Sequence, residues 1–241
     1  MLNVAYHSNT LGTEYNAGVK SSGDRFKYLI RGNYAAHSDY ETGNDLRVTN
    51  SRFNEFDLKG GIGYQDSKYR GDLRYNYNNS GVGIPEEIGE QSTSRELLEP
   101  YQEVENHILS FDNRLFFRNS SLDIKVGYLF NNRREFEDHH HHEEEEHEEE
   151  HEEEEHEEVI PEGEEHPALE MHLETLNYDI KYNTPQWGNF ETIIGVQGMF
   201  QTNSNFGEEI LIPDAQVRDI GFLATTHYHL DKFDFQAKSK V

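Results

Sequence analysis

The sequence predicts an all-β protein: an antiparallel up-and-down transmembrane β-barrel of about ten strands, which either closes by itself or forms part of a larger barrel. Apolar and polar residues alternate over nine or more positions in several segments, which is typical of long half-buried strands. Short and long connections follow one another in turn, as in barrels with one plain and one elaborate rim. No apolar run of about 18 residues occurs, so no transmembrane helix is expected.

The predicted strands follow one another along the chain. A short turn near residues 10–12 joins the first two strands. In five later segments the apolar residues occupy every second position and share one face, while polar residues share the other. These segments are residues 26–34, 69–77, 121–130, 190–200 and 219–230. They exceed the five or six residues of an average globular strand, which favours a membrane-length sheet.

The predicted connections alternate between short turns and long loops. The short turns are residues 21–24, 66–68, 118–121, 184–189 and 231–232, and the long loops are residues 38–52, 79–105, 137–167 and 203–218. Outer-membrane barrels have long external loops and short periplasmic turns. The alternative is a soluble β-sandwich or solenoid with a dry apolar core, but the strand length and the density of charge on the polar face favour the barrel.

The net charge of −26 comes mostly from one segment. Residues 135–166 contain 19 Asp and Glu and no Lys or Arg, which leaves 28 acidic against 21 basic residues elsewhere. A block this acidic repels itself and resists folding alone. Cations are therefore the expected partners, and nucleic acid is not, since no basic stripe exists. The absence of cysteine excludes disulfides, thiolate catalysis and Cys-type zinc sites.

A His/Glu-rich loop insert, here called the His/Glu tract, spans residues 137–167. Its candidate metal ligands are His139, His140, His141, His142, His147, His151, His156 and His166. Imidazole binds zinc, copper and nickel, and the spacing offers many near-equivalent ligand sets, which predicts flexible capture instead of one fixed tetrahedral centre. Neighbouring glutamates are expected to raise the pKa of these imidazoles. Capture should therefore weaken in mild acid, because metal must displace the protons.

One part of the tract matches a metalloprotease motif. Residues 147–151 fit H-E-x-x-H, but that motif needs an amphipathic helix beside a cleft, and the flanks here have no apolar face. Since no nucleophile–base set is visible elsewhere, the chain is predicted not to be an enzyme. A solvated charge run without function is the plain alternative for the tract, and its eight histidines argue against it.

Histidines outside the tract are candidate ligands by their strand parity. His227 and His229 share parity with polar residues and are expected to face the lumen. His37 is also expected to face inward, near the external rim, and the three are candidates for a second relay station. The alternative is that they are ordinary polar wall residues. His107 and His172 share parity with outward residues near loop ends, where they are candidates to join the ligand set of the tract.

Several segments, in order, resemble TonB-dependent receptors of the Gram-negative outer membrane. The run beginning YHSNTLGTEYNAGVK resembles early barrel strands that follow a plug domain, and RVTNSRFNEFDLKGGIGY and YNYNNSGVGIPEE resemble the next hairpin and its loop. VGYLFNNRREFED resembles the strand that enters a large external loop, and PALEMHLETLNYDIKYNTP resembles the strand after it. The run beginning GVQGMFQTNSNFGEE, together with the His/Glu tract, resembles the zinc-uptake branch of this family.

The resemblance implies a function and partners. It implies a receptor that captures a divalent transition metal, zinc first, with copper or nickel as alternatives, and no organic cofactor. Uptake would be driven by the TonB energy-transducing complex through a plug domain that is expected to be absent from residues 1–241. Because such barrels have about 22 strands, the chain is expected to be a partial barrel in outer-membrane lipid. A siderophore or haem receptor and a non-transporting metal-buffering or adhesive surface barrel are the alternatives.

Overall fold

The strands of the protein form one antiparallel sheet, in which each strand pairs with its neighbours in sequence. The computed structural model describes residues 1–85, 88–89, 91–137, 167–230 and 232–240. The strands are β1 (Leu2–His7), β2 (Gly12–Ser22), β3 (Phe26–His37), β4 (Phe53–Gln65), β5 (Tyr69–Gly83), β6 (Tyr101–Phe116), β7 (Ser121–Phe136), β8 (Leu169–Asn183), β9 (Phe190–Asn205), β10 (Ala215–Leu230) and β11 (Phe233–Lys240). The predicted fold class is confirmed, with eleven strands among the described residues instead of about ten. Nowhere in the described part of the chain does a helix have the length and hydropathy needed to cross a bilayer.

The connections collect at two rims because consecutive strands run in opposite directions. The short-turn rim carries residues 23–25, 66–68, 117–120, 184–189 and 231–232. The long-loop rim carries residues 8–11, 38–52, 84–100, 137–168 and 206–214. The predicted asymmetry of the rims is therefore confirmed, although the turn at residues 8–11 is a short connection on the long-loop rim.

Two long loops are shorter than predicted. The loop predicted at residues 79–105 occupies residues 84–100, because β5 and β6 remain paired until Gly83 meets Tyr101. The loop predicted at residues 203–218 occupies residues 206–214 for the same reason. Alternation of apolar residues stops before these strands end, whereas backbone hydrogen bonding to neighbouring strands continues without it.

The register places the predicted apolar residues on a single face, here called the outer face. Residues directly opposite on paired strands share a face. Leu73 pairs with Ile62 on β4 and with Phe111 on β6. Large side chains on this face are exposed, with Ile220 at 66% and Phe222 at 61%. A dry sandwich core would bury them, so the exposure argues against the soluble alternative.

The opposite, polar face is concave and is here called the lumen face. A cavity of about 1030 Å³ is lined by residues of six consecutive strands, β5 to β10, with Arg70 and Asp219 at its two sides. Since neighbouring strands lie about 4.8 Å apart, six of them line one cavity only when the sheet curves around it. Charges on this wall are paired locally: Lys27 Nζ lies 2.6 Å from Asp72 Oδ1. The sheet therefore curves as in a barrel wall.

Aromatic rings form two belts on the outer face. Near the short-turn rim, the rings of Phe26 and Tyr64 lie 4.9 Å apart and those of Phe190 and Tyr228 lie 4.7 Å apart. The second belt lies near the long-loop rim and is here called the upper belt. Its ring contacts, with centroid distances between 4.4 and 6.1 Å, connect Phe56, Tyr77, His107, Phe130, His172 and Phe206. On β5 the two belts contain Tyr69, whose ring lies 6.1 Å from that of Tyr64, and Tyr77, which lies eight residues or about 27 Å further along the strand. In outer-membrane barrels, whose strands tilt by about 35–45°, this length spans about 20 Å of height, which is close to the apolar band of about 25 Å between their aromatic girdles.

Candidate metal-binding sites at the long-loop rim

The His/Glu tract joins β7 to β8 at the long-loop rim. β7 ends at Phe136 and β8 begins at Leu169, so both ends of the tract leave the sheet at this rim and not among the tight turns. The eight histidines of the tract, predicted as its metal ligands, lie at residues 139–166, outside the described residues. The ligand geometry of the tract therefore stays a prediction.

The two strand ends that carry the tract are firmly packed. Phe136 is 6% exposed, and its ring stacks on Tyr101 at a centroid distance of 4.5 Å. Leu169 is 4% exposed. The loop after β9 closes over this corner, because the backbone N–H of Phe206 donates to the carbonyl of Glu170 over 2.8 Å. The tract therefore begins and ends on fixed points of the scaffold.

His37 lies on the lumen face at the long-loop rim, as its parity predicts. It contacts His7 and Glu14, two residues that the sequence analysis missed. Glu14 Oε1 lies 3.0 Å from His7 Nε2 and 3.6 Å from His37 Nε2. Within the described residues, these three make the one group whose potential ligand atoms all lie within 4.8 Å of one another. The missing signal was the register of β1–β3, in which Glu14 pairs with both Ala5 and Ala35.

His227 and His229 lie at the other end of the lumen face, beside the short-turn rim. His229 Nδ1 is 2.6 Å from Asp234 Oδ1, and its Nε2 is 3.7 Å from Glu191 Oε2. The rings of His227 and His229 are 6.4 Å apart. The structure brings these two histidines together, but it does not bring them to His37. A role of these three histidines in passing metal ions along the lumen stays a prediction. It would need one station at each end of the lumen.

His107 and His172 lie on the outer face, again as their parity predicts. His107 is the seventh residue of β6 and forms part of the belt, with Nδ1 2.6 Å from the Tyr75 hydroxyl and Nε2 3.0 Å from Glu105 Oε1. His172 lies closer to the tract, and its Nε2 is 3.2 Å from Glu170 Oε1. Both imidazoles therefore have carboxylate neighbours at the upper edge of the belt, which suits an interface between lipid and water.

The loops at residues 38–52 and 84–100 cover the rim beside β1–β6. Asn50, with φ of 58°, donates from Nδ2 to the carbonyls of Leu98 and Pro100 over 2.7 and 2.6 Å. Arg52 donates from Nη1 to the carbonyl of Glu96 over 2.8 Å. These contacts bind the two loops to each other and to the strand ends. The two loops thus form an ordered polar cover over the long-loop rim beside β1–β6.

Comparisons with known proteins support the fold. No family model matches the sequence, and no curated protein matches it. Among solved structures, the chain is similar to the FrpB iron transporter of Neisseria meningitidis, F5-1 variant, with a TM-score of 0.66 and 13% identity over 99% of this chain and 39% of that one. The F3-3 variant matches with a TM-score of 0.64, 13% identity and the same coverages. The chain thus spans about two fifths of the length of these transporters. At this identity, the likeness shows that the chain has the up-and-down β-architecture of these transporters.

Proposed function

We propose that the chain is part of an outer-membrane receptor of the TonB-dependent type, which captures a divalent transition metal, zinc first, for uptake. The observation that carries this proposal is the place of the His/Glu tract. Both of its ends leave the long-loop rim of a sheet whose fold is that of an iron transporter barrel. A metal-ligating segment at the mouth of such a barrel is positioned to collect ions before they enter the lumen.

Membrane insertion is supported by the outer face. Its exposed apolar side chains, bounded by two aromatic belts, have the arrangement that outer-membrane barrels present to lipid. Strands β5 to β10 have 15 or 16 residues, several more than the nine to eleven needed to cross a bilayer. The excess length lies beyond the upper belt, on the long-loop side. Such extensions favour placing the long-loop rim outside the cell.

The chemistry of the tract favours capture over fixed coordination. Eight imidazoles supply borderline nitrogen ligands that suit zinc, copper and nickel. The acidic residues around them raise the local concentration of cations by their field. His37 on the lumen face, and the pair His227 and His229 at its other end, would offer further stations. TonB would supply the energy for release through a plug domain.

Titration of the whole chain, folded in detergent, tests this proposal. The chain is titrated calorimetrically with zinc, copper, nickel and calcium. A matched variant replaces the eight tract histidines by asparagine and keeps every glutamate. We expect the native chain to bind several equivalents of zinc, and the variant to lose most of them while its weak calcium binding is unchanged. Equal binding of all four ions, or no binding, would rule out selective metal capture.

A receptor for an iron complex is the second candidate, because the FrpB structures are those of an iron transporter. In that case the tract would shield the mouth electrostatically and bind little metal. Growth of cells with and without the gene that encodes this chain separates the two. A growth defect confined to zinc limitation supports the first candidate, and one confined to iron limitation supports the second. No defect under either limitation would support a non-transporting surface barrel.

A further inference from the structure

We propose that His7, Glu14 and His37 form a binding site for one divalent transition-metal ion on the lumen face, separate from the His/Glu tract. The three side chains come from neighbouring strands β1, β2 and β3 at the long-loop rim. A part in uptake rests on the proposed function. The binding itself rests only on the geometry of these residues.

The spacing of the ligand atoms fits an ion of the size of zinc. Two ligand atoms held about 2.0 Å from zinc at a tetrahedral angle lie about 3.3 Å apart. Glu14 Oε1 lies 3.0 Å from Nε2 of His7 and 3.6 Å from Nε2 of His37, which brackets that separation. All three atoms lie within 4.8 Å of one another. A small shift of exposed His7 and Glu14 therefore brings them to coordination distance.

His37 contributes an unused buried ligand atom. This residue is 5% exposed, and its Nε2, which points at Glu14, has no hydrogen-bond partner among the described residues. Leaving a buried polar nitrogen unpaired is costly, and a bound cation removes that cost. The other ring nitrogen, Nδ1, lies 2.8 Å from the Thr10 hydroxyl oxygen. When Nδ1–H donates to Thr10, Nε2 keeps the lone pair that a metal needs, which is how outer partners orient ligating histidines.

The His37 ring is held in place from both sides. It stacks on Phe53, with centroids 4.4 Å apart and planes 10° from parallel. On the other side is Gly12, where an added Cβ would lie 2.1 Å from His37 Nδ1. Thr10 is fixed in turn, because its carbonyl accepts from the backbone N–H of Ser38 over 3.0 Å. The buried ligand is therefore preorganised, while the other two ligands are half-exposed and open to an arriving ion.

The ligand set selects a class of metal. Two imidazoles and one carboxylate are typical of zinc sites that keep a fourth position for water. Calcium and magnesium prefer oxygen ligands alone. A site with three protein ligands and an open position can pass its ion on, whereas a closed four-ligand site holds it. The arrangement therefore suits an exchangeable station for zinc or a similar ion.

Zinc titration of the folded full chain, with the eight tract histidines replaced by asparagine in every sample, tests the site. We expect at least one equivalent of zinc to bind, and His7→Gln or Glu14→Gln to weaken one equivalent by more than the 10- to 100-fold that outer-shell partners contribute. Thr10→Val should weaken binding by about 10- to 100-fold, since the hydroxyl only orients His37. Gly12→Ala should weaken it without removing a ligand. Calcium should not compete.

The matched control is Asp219→Asn, which removes a lumen-face carboxylate on β10, far from β1–β3 in the strand order, and should leave zinc binding at this site unchanged. His7 and Glu14 are half-exposed, so their variants are expected to fold, and circular dichroism checks this. Unchanged zinc affinity in both variants overturns the site. Because the tract lacks its histidines in every sample, this result is independent of the test of metal capture by the tract. One equivalent that disappears in both variants supports the site even if the tract binds nothing.

Discussion

A fully buried ion pair connects the two ends of the loop at residues 38–52. Arg52 donates from Nε to Asp39 Oδ1 over 3.0 Å and from Nη2 to Asp39 Oδ2 over 2.5 Å, and the two side chains are 1% and 0% exposed. Its two parallel hydrogen bonds give it the strong bidentate geometry of a guanidinium with a carboxylate. The pair therefore joins the two ends of the loop, beside the end of β3 and the start of β4.

Replacing Asp39 by asparagine should destabilise the protein strongly. The change keeps the shape of the side chain but leaves the Arg52 charge buried and uncompensated, which costs about 3–5 kcal/mol in comparable sites. Urea unfolding of the chain in detergent measures the free energy of unfolding. Asp112→Asn is the matched control, because the Asp112–Lys125 pair is 60% exposed on both sides, and loss of an exposed pair costs about 1 kcal/mol or less. Equal effects of the two changes would contradict the prediction.

At this scale the sequence predicts side-chain direction well and side-chain partners poorly. Strand parity gives the correct face for His37, His107 and His229, since a period of two follows directly from the pleat. It does not show that His37 meets Glu14, because that contact depends on the register of two hairpins. The short turn between β1 and β2 predicts a hairpin without fixing which residues face each other.

The turn between β4 and β5 is closed by a side chain. Asp66 Oδ1 accepts hydrogen bonds from the backbone N–H groups of Lys68 and Tyr69 over 2.7 and 2.8 Å, and the Tyr64 hydroxyl donates to Oδ2 over 3.0 Å. The bond from Lys68, followed by the one from Tyr64, lowers the pKa of Asp66 below its ordinary value of 3.8. The turn is therefore stabilised by the charged carboxylate.

Acidification should loosen this turn. Since the pKa of Asp66 is lower in the folded state, its stabilisation is complete above pH 3.8 and is lost as the pH falls through the folded value. Amide exchange of Lys68 and Tyr69, corrected for intrinsic rates, should show less protection at about pH 3 than at about pH 5. In Asp66→Asn this difference should vanish. The turn at residues 23–25 is the control, because it is closed by a backbone bond from Gly23 N–H to the Phe26 carbonyl; an equal loss of protection there would contradict the role of Asp66.

Strand existence is predictable here, and strand ends are not. Alternation locates the strands from residues 26–34 to residues 219–230, because apolar residues there keep to the outer face. Beyond the upper belt polar residues occur on both faces and the alternation fades, although pairing of Gly83 with Tyr101 shows that the sheet continues. The sequence therefore predicts loops at the polar ends of β5, β6, β9 and β10.

The two faces of the sheet carry side chains of opposite character, and a charge placed on each face tests whether their environments also differ. Phe222 lies in the middle of β10 on the outer face and is 61% exposed, and Gln197 lines the lumen cavity at the same height, opposite Gly221. Phe222→Arg should lower the free energy of unfolding in lipid vesicles by about 2–4 kcal/mol, the cost of arginine near the middle of a bilayer. Gln197→Arg should change it by much less. Similar effects of both changes would contradict a lipid-facing outer face.

The architecture follows from the sequence more fully than the binding chemistry does. The order of short and long connections predicts which rim carries the loop at residues 137–167, and the structure agrees. Which ion binds depends on the arrangement of His139 to His166 and on contacts such as His7 with Glu14, which no period in the sequence encodes. A run of interchangeable ligands is enough for metal ions to bind, whereas selection of one metal over another requires fixed distances between the ligand atoms.

In the proposed membrane setting, the length of β7 beyond the upper belt would also separate two ionic environments. Six residues lead from Phe130 in the belt to Phe136 where the tract departs, or about 20 Å along the strand. Electrostatic screening in physiological salt has a range of about 8 Å. With the belt at the lipid boundary, headgroup charges and the glutamates at the loop base would scarcely influence each other. An approaching metal ion would then be attracted mainly by the charge of the acidic segment, with little competition from cations condensed on the bilayer surface.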